Sequence, residues 1–211
     1  MPLFDLDLVS TQSTPPADVC ALLHEATKRI RRFQGEHRIP GFVTSDFQSA
    51  YHALRDLTTA DLVLGDQFCE WGSGYGVVTC LAAMLGFDAR GIEIEQELAD
   101  AAQKLADDFG LPAEFVRGSF IPCAGTAEVA TAGSFAWLTT DESSAYQEMG
   151  LGPDEFDLIF AYPWPDEESI TDLLFEHYAA EGAVLLTYHG MKNLRFRRKL
   201  AEQKDHKKHT R

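Results

Sequence analysis

The chain has 211 residues, 45% of them hydrophobic and 24% charged, which suits one globular domain with a sizeable core and excludes a disordered or fibrous chain. The formal net charge is −15, but residues 192–211 carry a net +7 and the rest a net −22, so the body repels a phosphate backbone and a protein or small-molecule partner is favoured over nucleic acid. No apolar run approaches the ~20 residues of a bilayer span, and the N-terminus carries Asp5 and Asp7 without a basic cluster, so a cytoplasmic protein with no membrane partner is expected. Cys20, Cys69, Cys80 and Cys123 have no zinc-pair spacing, so no metal site is expected.

Thr14-Pro15-Pro16 reads as a helix start, with Thr14 as cap and proline at the first helical position. Val19, Leu22, Leu23, Ala26, Ile30 and Phe33 then recur at helical spacing to about Gln34, and Gly35 is the expected stop. Lys28, Arg29, Arg31 and Arg32 fall in the last turns, where cations complement the helix dipole. Ser45 with Gln48 reads as a capping box for a second helix to about Leu57. Residues 1–62 are therefore expected to be a helical N-terminal extension.

The pattern then changes to strand and helix in alternation. Strands are expected at 67–71, 89–94, 114–117, 157–161 and 183–188, with helices at 77–85, 96–109 and 168–180. Such an order predicts an α/β fold over 63–191: a mainly parallel, doubly wound sheet in three layers, with helices on both faces. The C-terminal strand ends then share one edge, where open sheets of this kind bind ligands. Residues 121–155 break the rhythm with Ala, Gly, Ser and Thr, and read as a lid or binding loop with a helix somewhere between 129 and 149. Residues 192–211 read as a solvated basic C-terminal tail.

The stretch from Phe68 to Gly76 joins a strand to a helix through glycines at 72, 74 and 76, which lets the backbone turn sharply and approach a ligand. A dinucleotide fingerprint would need glycine where Val77 stands, and a P-loop would need Gly-Lys-Ser/Thr. The next strand ends in Glu93, 23 residues after Glu70. Its carboxylate offers two acceptor oxygens at the spacing of a vicinal diol, or else an acid beside a helix N-terminus.

The pattern Glu70-x-Gly72-x-Gly74-x-Gly76 resembles motif I of class I (seven-β-strand, Rossmann-like) S-adenosylmethionine-dependent methyltransferases, EC 2.1.1. The resemblance implies S-adenosylmethionine as cofactor, held by Glu70, Gly72, Ser73, Gly74 and Gly76, with Glu93 and Ile94 at the ribose. An acid at position 70 is unhelpful to a pyrophosphate but tolerable beside a sulfonium and an ammonium. Ser119 stands where the family usually has an Asp that contacts adenine, and Phe120 packs on the adenine or in the core. Tyr162-Pro163-Trp164-Pro165 occupies the family's acceptor position. It resembles the Asn/Asp-Pro-Pro-aromatic motif of amino-methyltransferases, with Tyr162 replacing the amide or acid. It is also similar to the Pro-Trp-Pro of tRNA guanine methyltransferases, with acidic Asp166-Glu167-Glu168 in place of basic residues. Residues Phe42–Asp46 lie far enough ahead of the core to fold over the cofactor, and are similar to a stretch in seven-strand protein lysine methyltransferases. Tyr162, Tyr188 and His189 are the candidate bases. The family closes its sheet with an antiparallel strand pair, but only 23 residues follow Tyr188, so a shortened C-terminus with a remnant near Leu194–Leu200 is expected. The expected function is methyl transfer to a protein side chain or small molecule; a noncatalytic S-adenosylmethionine-binding scaffold is the alternative.

Overall fold

Apolar side chains on both faces of each central strand dictate a sheet covered on two sides. The computed structural model, which describes residues 3–8, 12–132, 138, 144–191 and 193–200, has that architecture. Strands β2 (Gln67–Trp71), β3 (Asp88–Glu93), β4 (Ala113–Arg117), β5 (Leu158–Ala161) and β6 (Val184–Tyr188) pair in parallel. Two more, β1 (Leu3–Asp5) and β7 (Leu194–Lys199), pair antiparallel, giving the order β1-β7-β6-β5-β2-β3-β4.

The pleat sorts side chains between two cores. Phe68, Leu158, Phe160, Val184 and Leu186 face helices α1 (Ala17–Glu36), α2 (Phe47–Thr59), α3 (Val77–Met84) and α4 (Gln96–Asp108). Their neighbours Cys69, Trp71, Ile159, Ala161 and Leu185 face α7 (Glu168–Tyr178) and the 121–155 segment. The result is a three-layer, doubly wound, mainly parallel sheet. Strand order reverses at β2, which lies between β3 and β5 and so opens a crevice beyond its C-terminal end.

The helix ends depart from the sequence expectation in small, explicable ways. Helix α1 begins after Pro16, without a cap from Thr14, and runs through Gly35 to Glu36. The ring of His37, just past its end, stacks on Phe33 at 4.4 Å. The cap of α2 is Asp46 rather than Ser45: its carboxylate accepts from the Ser49 amide at 2.9 Å, reaching the third N–H of the helix. Between residues 121 and 155 lie α5 (Thr126–Ala132), α6 (Ala145–Met149) and two 3-10 turns, Cys123–Gly125 and Pro153–Glu155. The middle of the expected helix, 133–137 and 139–143, is outside the described residues.

The remnant expected near Leu194–Leu200 is strand β7, and the N-terminal end adds a strand that its sequence did not announce. The N-terminal extension is not wholly helical, because β1 covers the open edge of β7, with Phe4 opposite Arg198. The basic stretch from 194 is not a solvated tail up to Lys199, because each of its cations finds an acceptor. Arg195 reaches Asp5 at 2.8 Å, Arg198 donates to the Leu62 carbonyl, and Lys199 donates to the Ala179 carbonyl near the end of α7. Arg197, 3% exposed, forms a two-pronged pair with Asp172 of α7. The tail from 201 lies outside the described residues.

The Arg197–Asp172 pair generates a stability prediction. Asp172→Asn strands a buried cation and should lower unfolding stability by about 3–5 kcal/mol, whereas Arg197→Met removes the charge and keeps the volume, so it should cost much less. Urea denaturation of both variants checks this; equal losses would mean that the pair acts through packing alone.

Candidate active site

The chain leaves β2 through three glycines, each with positive φ: Gly72 at 70°, Gly74 at 53° and Gly76 at 72°. The last two are also constrained by space. A Cβ at Gly76 would lie 2.4 Å from the Phe115 ring and 2.6 Å from Ala102, so this glycine lets the loop press onto β4 and α4. A Cβ at Gly74 would meet the Phe42 ring at 3.0 Å. The loop is thus sandwiched between the sheet and the connection that precedes α2.

A cleft of about 780 Å³ opens over this loop at the strand-order reversal, a volume typical of small-molecule sites. Of the residues expected to bind a cofactor, Glu70, Gly72, Ser73, Gly74, Glu93, Ile94, Ser119 and Phe120 line it. Gly76 does not; it lies beneath the loop. Ile39–Ser45 form the opposite wall, and Tyr162, Pro163, Trp164 and His189 form one end.

Glu93, 7% exposed, ties the loop to the start of α4. One carboxylate oxygen accepts from the amides of Ile94 (2.9 Å) and Glu95 (3.0 Å), and the other from the Gly74 amide (2.6 Å). Burial pushes its pKa up, and the three amide bonds pull the other way. Its side chain therefore serves the helix start and the glycine loop together.

Glu70 points elsewhere. Its carboxylate accepts from both the amide (2.9 Å) and the hydroxyl (2.6 Å) of Thr79, and so pins the first turn of α3. Burial raises its pKa to about 8, against the stabilising bonds from Thr79. Ser119 Oγ accepts from the Ile121 amide at 3.1 Å, and the Phe120 ring stacks on Trp71 at 5.1 Å and 8°. The Ser73 hydroxyl is buried and has no hydrogen-bond partner among the described residues.

The three candidate bases separate. Tyr188 follows Val184 and Leu186 onto the α1–α4 side, is 6% exposed and does not line the cleft; it supports the Tyr162 ring edge-on at 4.8 Å. Tyr162 and His189 do line it. His189 lies between two partners: Nδ1 is 2.9 Å from Glu168 and Nε2 is 2.8 Å from the Thr187 hydroxyl. Neither partner stood out in the sequence. The available signal was that Thr187 and His189, two apart at the end of β6, share a face, and that Glu168 opens the preceding helix, on that face. Trp71 was also read only as a strand residue.

The burial of Glu70 has a measurable pH consequence. The folded chain keeps the proton up to about pH 8, whereas the unfolded chain releases it near the ordinary value of 4.5. Stability from this group is present at low pH and is lost as pH rises between those values, by an amount on the order of a few kcal/mol. Glu70→Gln should flatten that slope. Thermal melts from pH 5 to pH 8 test it; parallel slopes for the two proteins would refute the burial argument.

No family model matches the sequence, and no curated protein matches it. Solved structures do. An RNA methyltransferase from Salinibacter ruber, in complex with S-adenosyl-L-homocysteine, aligns with a TM-score of 0.52 at 17% identity, over 77% of this chain and 95% of that one. The O-methyltransferase TomG from Streptomyces achromogenes, in complex with SAM, aligns at 0.51 and 16%, over 82% and 66%. An O-methyltransferase from Bacillus cereus, in complex with SAH, aligns at 0.50 and 14%, again over 82% and 66%. The chain thus spans about two-thirds of the two O-methyltransferases. At these identities the likeness is one of fold, and the fold is that of class I S-adenosylmethionine-dependent methyltransferases.

Proposed function

We propose that this chain is an S-adenosylmethionine-dependent methyltransferase, with its cofactor in the cleft over the glycine loop. The carrying observation is the clamp of Glu93 on Gly74, at the ends of two adjacent parallel strands and beside the strand-order reversal. Dinucleotide folds also bind at such a point, but the loop here is not their fingerprint. The residues present suit the proposed cofactor. The Glu93 oxygen that accepts only from the Gly74 amide has a lone pair left for a ribose hydroxyl, whereas the other oxygen is filled by the Ile94 and Glu95 amides. Gly72 has open space where a side chain would stand. Ser119 and Phe120 form the wall for the adenine.

The bound cofactor supplies a methyl group on a sulfonium, and the protein's share is chiefly positioning and exclusion of water. Ile39–Ser45 cover the cleft from one side, and Phe42 lies on the glycine loop. Tyr162, Pro163 and Trp164 form the end that receives the acceptor. A protein side chain or a small molecule fits the acidic body better than nucleic acid does. Among the described residues no helix is long and apolar enough to cross a membrane.

Calorimetric titration with S-adenosylhomocysteine, with NAD as the control, tests the reading. Micromolar binding of the first and none of the second is expected; NAD binding, or no binding of either, would sink it. Gly74→Val should abolish S-adenosylhomocysteine binding, since position 74 has φ 53° and a Cβ contact of 3.0 Å to Phe42. Glu93→Gln should weaken it by about 1.5–3 kcal/mol through loss of charged hydrogen bonds. Unchanged affinity in either variant places the cofactor elsewhere.

A further inference from the structure

We propose that His52 is an acid-sensitive latch: a proton on its ring unseats helix α2, loosens the cleft wall that precedes this helix, and so releases the cofactor. The identity of the released molecule rests on the methyltransferase reading above. His52 lies in the second turn of α2 and is 1% exposed, and neither of its ring nitrogens has a hydrogen-bond partner among the described residues. Buried polar side chains are paired almost without exception, so this imidazole is costly to bury even when neutral. A charged ring is far worse placed, because it must donate from both nitrogens and the packing offers it no acceptor among the described residues.

The charged groups that act on the ring are Arg55, Asp56 and the cap residue Asp46. The two acids favour a proton, but both are engaged. Asp56 is held by Arg55 through Nε at 3.0 Å and Nη2 at 2.6 Å, and the Asp46 carboxylate accepts from the Ser49 amide at 2.9 Å. Arg55 opposes a second cation beside it. Helix α3, packed against α2, brings no charged residue, and burial pushes its Cys80 thiol up to about 12, so that group stays neutral. The Tyr51 ring lies 5.4 Å away, and Ser13, which Arg55 Nη1 reaches at 2.6 Å, is uncharged. Burial first, and then Arg55, hold the His52 pKa below its ordinary 6.5. The place of α2 couples this proton to the cleft. Its first residue, Phe47, lines the cleft, and Asp46 directly follows the wall Ile39–Ser45, whose Phe42 lies on Gly74. When α2 leaves its seat the wall goes with it, and apparent affinity falls with the fraction of molecules whose wall is closed. A lowered folded pKa means that the closed state binds fewer protons than the open one. Affinity is therefore full above about pH 6.5 and falls below it, by up to about tenfold per pH unit for a single proton. Burial of Glu70 acts on stability with the opposite sign, so the two effects separate.

The test is calorimetric titration of the full chain with S-adenosylhomocysteine from pH 8 down to pH 5, joined to backbone amide exchange at both ends of that range. The wild-type chain should lose about tenfold or more in affinity across it. His52→Leu, which cannot take a charge, should hold its affinity nearly level. In the wild type at pH 5, the amides of Phe47–Thr59 should exchange well ahead of those of β2, and in His52→Leu they should not. A pH slope that persists in His52→Leu, or that vanishes in His189→Gln instead, overturns the latch. So does exchange of α2 only together with the whole molecule. Should His52→Leu fail to fold, His52→Gln makes the same comparison with another uncharged side chain. Absence of S-adenosylhomocysteine binding to the wild type at pH 8 overturns the methyltransferase reading instead, and the exchange comparison then still decides the latch.

Discussion

The three amides gathered by Glu93 hold the site together. They come from two separate connections, one after β2 and one after β3, and meet on one buried carboxylate. Parallel register places Trp71 opposite Ile92, so both strands end at nearly the same level and one side chain can reach both turns. The cleft floor is flat there because nothing larger than hydrogen stands on its glycines. Removal of the carboxylate would leave three amides facing a buried space, and the loop would have to find another shape.

The wall facing that floor comes from the segment before the sheet. The Phe42 ring lies on Gly74 and packs edge-on against Phe33 of α1 at 6.2 Å; Phe33 in turn meets Tyr75 of the glycine loop at 5.7 Å. Floor and wall are therefore joined by one aromatic cluster. The N-terminal helices are part of the cleft's construction, and α1 orders the wall as much as it covers the sheet.

Much of this was legible in the residues. Period-two and period-3.6 patterns marked the central strands and their helices because both cores are strongly apolar. The glycine spacing, with an acid one strand later, located the cleft. Three kinds of feature were not legible. Strand β1 was missed because three residues carry little pattern, and their pairing with β7 is set almost two hundred residues away. The target of Glu70 depends on a rotamer, and Thr79 competes for it from the first turn of the next helix. The Glu168–His189 contact joins a helix start to a strand end, which no local spacing announces. In each case the deciding partner is remote in sequence or requires a side-chain direction that the pattern leaves open.

The antiparallel edge of the sheet has a consequence for how the molecule is made. During synthesis β1 emerges before the other described elements, yet its partner β7 is the last of them. Strand β7 must also settle against β6 before β1 can add to it. The five parallel strands can pair before β7 arrives, but the first strand must wait unpaired. Its exposed Phe4 and two nearby acids, Asp5 and Asp7, are what the waiting segment shows to the cell. The acids discourage this segment from pairing with a neighbouring nascent chain, as charges on an edge strand do. The sheet is thus closed by the earliest of its described strands, after the latest has paired.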